Sequence, residues 1–329
     1  MTSNFVDVLG HQLHYLEWKS EAVTSGAAAA LTVVMVHGLT RTANDFVHIG
    51  EYLTQQPNSS VRAISFDVIG RGLSSWAAAS KSPADATKED YNIPNYIQLF
   101  KAALPKVGIT GEEGSKCAWV GTSMGGLIGF VGYGSGELRP YIHTMVLNDI
   151  GPHVPRSSLK GIYEYTLHTP KGDTYPQFED ALRASMTAFG DIPQPLFRNM
   201  TKAFARRDAQ TGAFTVHYDE RILDAIRSMF QDEPAESDAA LGTANSEGAE
   251  AVLWALLGNV DVPMLVFNGE SSKVLLKETA DRMMHQPQQK CERRLVTVAN
   301  CGHAPMLFEP EHLETLSAFL HSSLSTTTK

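Results

Sequence analysis

The segment CAWVGTSMGGLIGFVGY, residues 117–133, decides how this chain is read. Cys117–Val120 is a short apolar run of the kind expected for a strand buried on both faces. From Met124 to about Tyr133 the residues are apolar or small, which predicts a helix. Gly121-Thr122-Ser123-Met124-Gly125 joins the two and fits Gly-x-Ser-x-Gly. Glycines at both ends of so sharp a turn leave room for neighbouring backbone, and the serine between them takes an unfavourable backbone conformation. Its hydroxyl would stand at the carboxyl edge of a sheet, above a helix N-terminus. The first amide there, that of Met124, can donate to a developing negative charge. Alone the pattern is weak, and a tight turn without chemistry is the competing reading. A phosphate loop fits less well: no Gly-Lys-Ser/Thr follows, and Gly132-Tyr133-Gly134-Ser135-Gly136 ends a helix rather than opening one.

Working outward, the same alternation recurs on both sides. Phe5–Val8 and Leu13–Trp18 flank Gly10-His11 and predict an antiparallel hairpin. Residues 20–30 read as a surface loop. Leu31–Val36 and Val61–Phe66 are continuous apolar runs that predict buried strands, with a helix to about Gln55 between them. A polar loop, Ala77–Asp90, precedes a helix over Tyr96–Val107. Thr144–Leu147 predicts the strand after the central segment and ends in Asn148-Asp149. Strands return at Met264–Asn268 and Arg294–Val298, with a helix at about Leu275–His285 and a last one over Glu311–Ser323. Strands alternating with helices imply a mostly parallel sheet with helices on both faces. Residues 152–250 break the pattern: they carry helical stretches at Leu159–Leu167, Gln177–Phe189, Leu196–Arg206 and Glu220–Phe230, then a polar connection over 232–249. The expected organisation is a core of residues 1–151 and 251–329, with 152–250 as a helical insertion.

Bulk properties narrow the function. The 329 residues allow a large α/β domain with an insertion, and 43% hydrophobic residues support a sizeable core. A formal charge of −9 disfavours nucleic acid and anionic lipid as partners. The three cysteines, Cys117, Cys291 and Cys301, are an odd set in a long chain and read as reduced thiols of a cytoplasm-like compartment; a Cys291–Cys301 bridge is the alternative. No Cys/His set has zinc spacing, and residues 1–10 carry no secretory pattern. The longest apolar stretch, Ala27–Val36, is too short to span a bilayer.

Four motifs in order carry a family resemblance: His37-Gly38-Leu39, then Phe66-Asp67-Val68-Ile69-Gly70-Arg71-Gly72-Leu73-Ser74, then Gly121-Thr122-Ser123-Met124-Gly125-Gly126, then Gly302-His303-Ala304-Pro305. Over nearly its whole length the chain resembles the α/β-hydrolase superfamily, most closely the esterase and carbon–carbon-bond hydrolase branch with a helical cap. Leu147-Asn148-Asp149-Ile150-Gly151-Pro152 also resembles a recurring segment of some bacterial members. The resemblance implies an α/β-hydrolase fold with residues 152–250 as the cap. It implies that the Leu39 amide joins that of Met124 as an oxyanion donor, and that Asp67 and Arg71 belong to a structural turn.

A serine hydroxyl needs a base within reach. Among twelve histidines, His303 alone lies in a loop between the last predicted strand and the last helix, and the order Ser…acid…His suits the fold. His37 reads as structural and His321 as exposed on the last helix. The acid is where the pattern breaks. The resemblance places an aspartate just after Met264–Asn268, yet the chain reads Asn268-Gly269-Glu270-Ser271-Ser272-Lys273-Val274, and neither Ser272 nor Lys273 can serve. Asp149, at the end of the preceding strand, is the preferred replacement, and Glu270 is the alternative; a Ser–His dyad is a third arrangement.

The function expected is a carboxylic ester hydrolase acting on small to medium apolar esters through an acyl-enzyme on Ser123, without metal or organic cofactor. Tyr163, Tyr165, Phe189, Phe197, Phe204 and Trp254 supply an apolar lining for the insertion or simply pack it. A carbon–carbon hydrolase of the meta-cleavage-product type would use the same Ser/His pair and need a carboxylate-binding arginine, for which Arg71, Arg156 and Arg183 are candidates. A non-catalytic ligand receptor is the remaining alternative.

Overall fold

Short runs of aliphatic residues with no polar face become the middle strands of a sheet in the computed structural model, which describes residues 1–112, 116–186, 191–230, 247–286 and 291–325. In chain order the strands are β1 (Thr2–Val8), β2 (His11–Lys19), β3 (Leu31–Val36), β4 (Val61–Phe66), β5 (Cys117–Thr122), β6 (Thr144–Asn148), β7 (Lys171–Gly172), β8 (Ala205–Arg207), β9 (Phe214–Val216), β10 (Met264–Gly269) and β11 (Arg293–Val298). Eight of them form one sheet in the order β1-β2-β4-β3-β5-β6-β10-β11. β2 runs antiparallel to β1 and β4, and every pairing from β4 to β11 is parallel. This is the mostly parallel sheet that the strand and helix alternation predicts, in the α/β-hydrolase fold that the family resemblance implies.

Every residue of β6 and β10 is buried, as a parallel sheet covered on both faces requires. One apolar layer includes Val34, Phe66, Phe100, Trp119 and Leu147; the opposite layer includes Val33, Phe46, Val120, Phe267 and Phe319. These positions alternate along each strand, because successive side chains leave opposite faces.

Local readings differ in several places. Residues 20–30 contain a helical turn, Glu21–Thr24. The expected polar loop holds a helix over Pro83–Glu89, capped by Ser82 with proline in the first turn, and the next helix is Ile93–Lys106, capped by Asn92. The segment between β6 and β10 is not purely helical: it includes the antiparallel sheet β7-β9-β8. Strands of two or three residues carry too few positions for alternation to show in sequence.

Among the described residues, the segment's longer helices are Arg156–Thr166, Tyr175–Ser185, Gln194–Phe204 and Glu247–Gly258. The stretch expected as a helix from Glu220 is a 3-10 turn, Glu220–Leu223, followed by one α turn, Asp224–Arg227. Phe189 and most of the expected polar connection lie outside the described residues. Cys117, Cys291 and Cys301 are in the thiol form, so the alternative Cys291–Cys301 bridge is not formed. Among the described residues no helix is long and apolar enough to cross a membrane, and no group of three or more His, Cys, Asp or Glu could hold a metal ion.

Candidate active site

The turn after β5 is as tight as its glycines imply. Ser123 sits at φ 50°, ψ −116°, immediately before the helix Met124–Gly134. A side chain on Gly125 would place its Cβ 2.0 Å from the Val36 carbonyl oxygen, and one on Gly121 would lie 2.3 Å from the Gly126 nitrogen. The amide of Ser123 donates to the Asn148 carbonyl at 2.9 Å, which ties the turn to the end of β6. A positive φ on a non-glycine residue costs about 1–3 kcal/mol and persists only where the surroundings impose it.

Three side chains named from sequence meet here. His303 Nε2 lies 3.0 Å from Ser123 Oγ, and His303 Nδ1 donates to Asp149 Oδ2 at 2.7 Å. A carboxylate on Nδ1 fixes the tautomer that leaves the Nε2 lone pair toward the serine. Such a chain can move a proton off Ser123 Oγ while the imidazolium is stabilised from behind. Asp149 is fully buried and itself adopts φ 57°. Its Oδ1 accepts from Asn268 Nδ2 at 3.1 Å and the Gly269 amide at 3.0 Å, and its Oδ2 accepts from Ser272 Oγ at 2.6 Å.

Glu270, the alternative acid, is not brought to His303. It is exposed and accepts from the Asn300 amide at 3.0 Å. Lys273 is exposed, and its carbonyl accepts from Ser158 Oγ. Ser272, at the position emptied of an acid, is a partner of Asp149 instead. Its Oγ also accepts from the amides of Val274 and Leu275 at 3.2 Å each, so its own hydrogen is directed to the carboxylate. Gly269 lets the histidine loop close on β10, since a Cβ there would lie 2.0 Å from the Gly302 carbonyl oxygen. Asn148 ties the same loop to β5, donating to Thr122 Oγ1 at 3.1 Å and to the Pro305 carbonyl at 2.8 Å.

The His37-Gly38-Leu39 loop leaves β3 beside the serine; a Cβ on Gly38 would stand 3.6 Å from that of Ser123. The Gly38 carbonyl accepts from His37 Nδ1 at 2.7 Å and from the Arg41 amide at 3.3 Å. In a trans peptide the N–H points opposite to the C=O, so the Leu39 amide faces away from those partners. His37 Nε2 in turn accepts from the Val68 amide at 3.0 Å. Burial pushes the His37 imidazole down to about 4, against the attraction of Asp67, so the ring is neutral and structural. Asp67 accepts from His14 Nδ1 and the Ala43 amide at 2.7 Å each and from the Leu73 amide at 2.9 Å. Burial alone would raise its pKa, but the His14 bond and the nearby His37 outweigh this and hold it below the usual carboxylate range. Asp67 is therefore a hub of the turn.

The aromatic candidates are mostly spent on packing. Phe197 and Phe204 are buried, Tyr163 stacks on Phe230, and Trp254 donates to Glu250 at 3.1 Å. The candidate arginines are engaged as well: Arg156 with the Met229 carbonyl and the Phe230 ring, Arg183 with Gln194 and the Phe197 ring. Sequence reasoning missed Arg41. It is buried, forms a two-pronged pair with Asp45 at 2.8 and 2.7 Å, and meets Met186 and Phe204 of the inserted segment. Arg41 precedes the 3-10 turn Ala43–Phe46 that carries Asp45, so no helical period in the sequence announced the pair.

The fold and this constellation define a hydrolase class, and the family assignment agrees: residues 33–315 match the alpha/beta hydrolase family, to which this chain belongs. The chain is 27% identical over 305 residues, 92% of its length and 90% of the relative's, to the 3-hydroxybutyrate-oligomer hydrolase of Cupriavidus necator. Among solved structures it is similar to an α/β hydrolase from Novosphingobium aromaticivorans, with TM-score 0.73 and 27% identity over 97% of this chain and 98% of that one. A putative hydrolase from Rickettsia typhi has TM-score 0.75 at 22% identity, covering 98% of this chain and 99% of that one.

Proposed function

We propose that this protein is a serine-dependent carboxylic ester hydrolase acting on small to medium apolar esters, with short hydroxyalkanoate esters among its candidate substrates. The observation that carries the proposal is the hydrogen-bonded chain from Ser123 Oγ through the His303 ring to the buried Asp149 carboxylate. The ester linkage that a hydroxybutyrate oligomer must contain, in the name of the Cupriavidus necator relative, supports the substrate class.

In the proposed reaction Ser123 Oγ attacks the ester carbonyl as its proton passes to His303 Nε2. The carbonyl electron pair moves onto oxygen, which rests on the Leu39 and Met124 amides. Collapse expels the alcohol, which takes the proton from His303, and leaves an acyl group on Ser123. Water then attacks that acyl group with His303 as base, and the second collapse releases the acid and restores the serine hydroxyl. Asp149 holds the ring in the required tautomer throughout. Residues 152–250 act as a cap whose packing sets the acyl and alcohol groups admitted.

The test is release of p-nitrophenol from p-nitrophenyl acetate and butyrate by purified protein beside Ser123→Ala, followed by acid release from hydroxybutyrate dimers. Ser123-dependent turnover is expected. No Ser123-dependent release from any ester would sink the proposal. Labelling by a fluorophosphonate reports on nucleophile activation separately.

A further inference from the structure

Arg71 is fully buried, and no carboxylate among the described residues pairs with it. Its Nε donates to the Leu39 carbonyl at 2.8 Å, and its Nη1 donates to the Ile69 carbonyl and to Tyr96 Oη at 2.8 Å each. Its Nη2 meets Met124 Sδ at 3.4 Å. The guanidinium carbon lies 5.9 Å from the Tyr91 ring centre and 5.3 Å from that of Tyr96. Asp67, four residues earlier, is committed to His14 and to the Ala43 and Leu73 amides. The guanidinium is thus solvated by carbonyls, a phenol, a thioether and ring faces. These offset the cost of burying a cation without neutralising it.

The contacts are selective in where they fall. Leu39 and Met124 are the two residues whose amides are assigned above to the developing oxyanion. The Gly38–Leu39 peptide is fixed by His37 and the Arg41 amide. Arg71 fixes the next peptide through the Leu39 carbonyl. The residue between them therefore has little freedom to turn its N–H away. The segment is also held from the other side: Arg71 bridges to Tyr218, and Gly72 donates to the His217 carbonyl at 2.9 Å.

We infer that Arg71 is a positioning residue of the oxyanion hole, which locks the Leu39 peptide and sets an unneutralised positive charge behind both donors. The inference rests on the reading of Ser123 as nucleophile. Negative charge grows on the substrate oxygen only as Ser123 attacks. In a poorly screened interior a fixed cation lowers the energy of that state more than that of the neutral bound ester. Arg71 should accordingly act on kcat and on anionic adducts, and leave binding of neutral molecules alone.

The experiment compares two ketones of equal chain length on wild type, Arg71→Met and Arg71→Gln. Addition of Ser123 Oγ to 1,1,1-trifluoro-2-octanone, with the proton passing to His303, places a negative charge on the former carbonyl oxygen. 2-Octanone binds as a neutral molecule. Functional sites are counted by fluorophosphonate titration, so a misfolded fraction drops out of every value. Arg71→Gln keeps a donor for the Leu39 carbonyl and serves where Arg71→Met does not fold. Per titrated site, the neutral variants should weaken the trifluoroketone about tenfold or more and lower kcat for p-nitrophenyl butyrate in parallel, with KM and 2-octanone binding within about twofold. Equal weakening of both ketones, or no change in either, overturns the proposal and leaves Arg71 a scaffold residue. If wild type is not titrated at Ser123, the nucleophile reading fails and this one falls with it.

Discussion

Ser272 stands where the resemblance to other α/β hydrolases places the acid, and it donates to Asp149, the acid of the proposed mechanism. Its hydrogen goes to the same Asp149 oxygen that receives His303 Nδ1, at 2.6 and 2.7 Å. Asp149→Asn should lower kcat by about 10³–10⁴-fold, the effect of presenting the wrong tautomer. Glu270→Gln should leave ester turnover within about twofold, as for a residue outside the reacting chain. The converse pattern in the same p-nitrophenyl assay would reassign the acid. Because Ser272 already reaches the Asp149 oxygen, the double variant Asp149→Asn, Ser272→Asp should regain about tenfold or more over Asp149→Asn alone. The buried His37 imidazole couples stability to pH. Its folded pKa is depressed to about 4 from 6.5, so its contribution to stability is fully present above 6.5 and is lost as pH falls toward 4. The loss is about 3 kcal/mol over that window. Urea midpoints between pH 7 and 4.5 should fall less steeply in His37→Gln than in wild type; parallel slopes would contradict the assignment.

Between elements the decisive contacts are backbone against backbone, which is why the glycines could be read so early. The helix after Ser123 crosses β3 so closely that Gly125 has no space for a methyl group against the Val36 carbonyl. Gly125→Ala should cost about 3 kcal/mol or more, because that carbonyl belongs to a buried strand and cannot yield as a flexible side chain would. Urea unfolding monitored by tryptophan fluorescence checks this, and a loss under 0.5 kcal/mol would not fit, that being about the range of neutral surface changes.

The same physics explains what was legible. Leu31–Val36, Val61–Phe66 and Met264–Asn268 announce themselves because a strand buried on both faces is mostly apolar; only Thr32, Arg62, Ser65 and Asn268 interrupt the three runs. The Gly-x-Ser-x-Gly turn is legible because its sterics are local. The choice of acid was not, because Asp149 and Ser272 are 123 residues apart and meet only when β6 pairs with β10. Glu270 could not be dismissed from sequence either, since its direction depends on how the Asn300 turn folds beneath it. The β7-β9-β8 sheet escaped notice for a related reason: its strands are held by pairing across the segment rather than by their own patterns.

At the scale of the molecule, the question is how the inserted segment is kept over the sheet edge. One polar anchor is a cluster away from Ser123, His303 and Asp149. Tyr91 Oη donates to Asp219 Oδ2 at 2.6 Å, and Arg221 grips the same carboxylate at 2.6 Å through Nη2. Arg221 then reaches into the core segment, donating to the carbonyls of Ala77, Ala78 and Lys81 at 2.8, 2.9 and 3.1 Å. Burial would raise the Asp219 pKa, but the bonds from Arg221 and Tyr91 hold it below the usual carboxylate range. Burial first, then the Asp219 charge, push the Tyr91 phenol upward, so it remains a donor. Removing the cation leaves a buried carboxylate with fewer partners and three carbonyls without theirs, so Arg221→Ala should destabilise docking of the segment by about 3 kcal/mol. The apolar layer on one face of the sheet runs on into the insertion, but the opposite layer holds no residue of it and does not depend on that anchor. Hydrogen exchange should therefore quicken in residues 194–227 while β5, β6 and β10 stay protected. Ester turnover should show a raised KM with a smaller change in kcat, because the Ser123–His303–Asp149 chain is carried by the sheet while the proposed cap role gives the substrate walls to the insertion. Uniformly faster exchange across both regions would instead mean that the anchor supports the whole fold and that the insertion is not a separately docked unit.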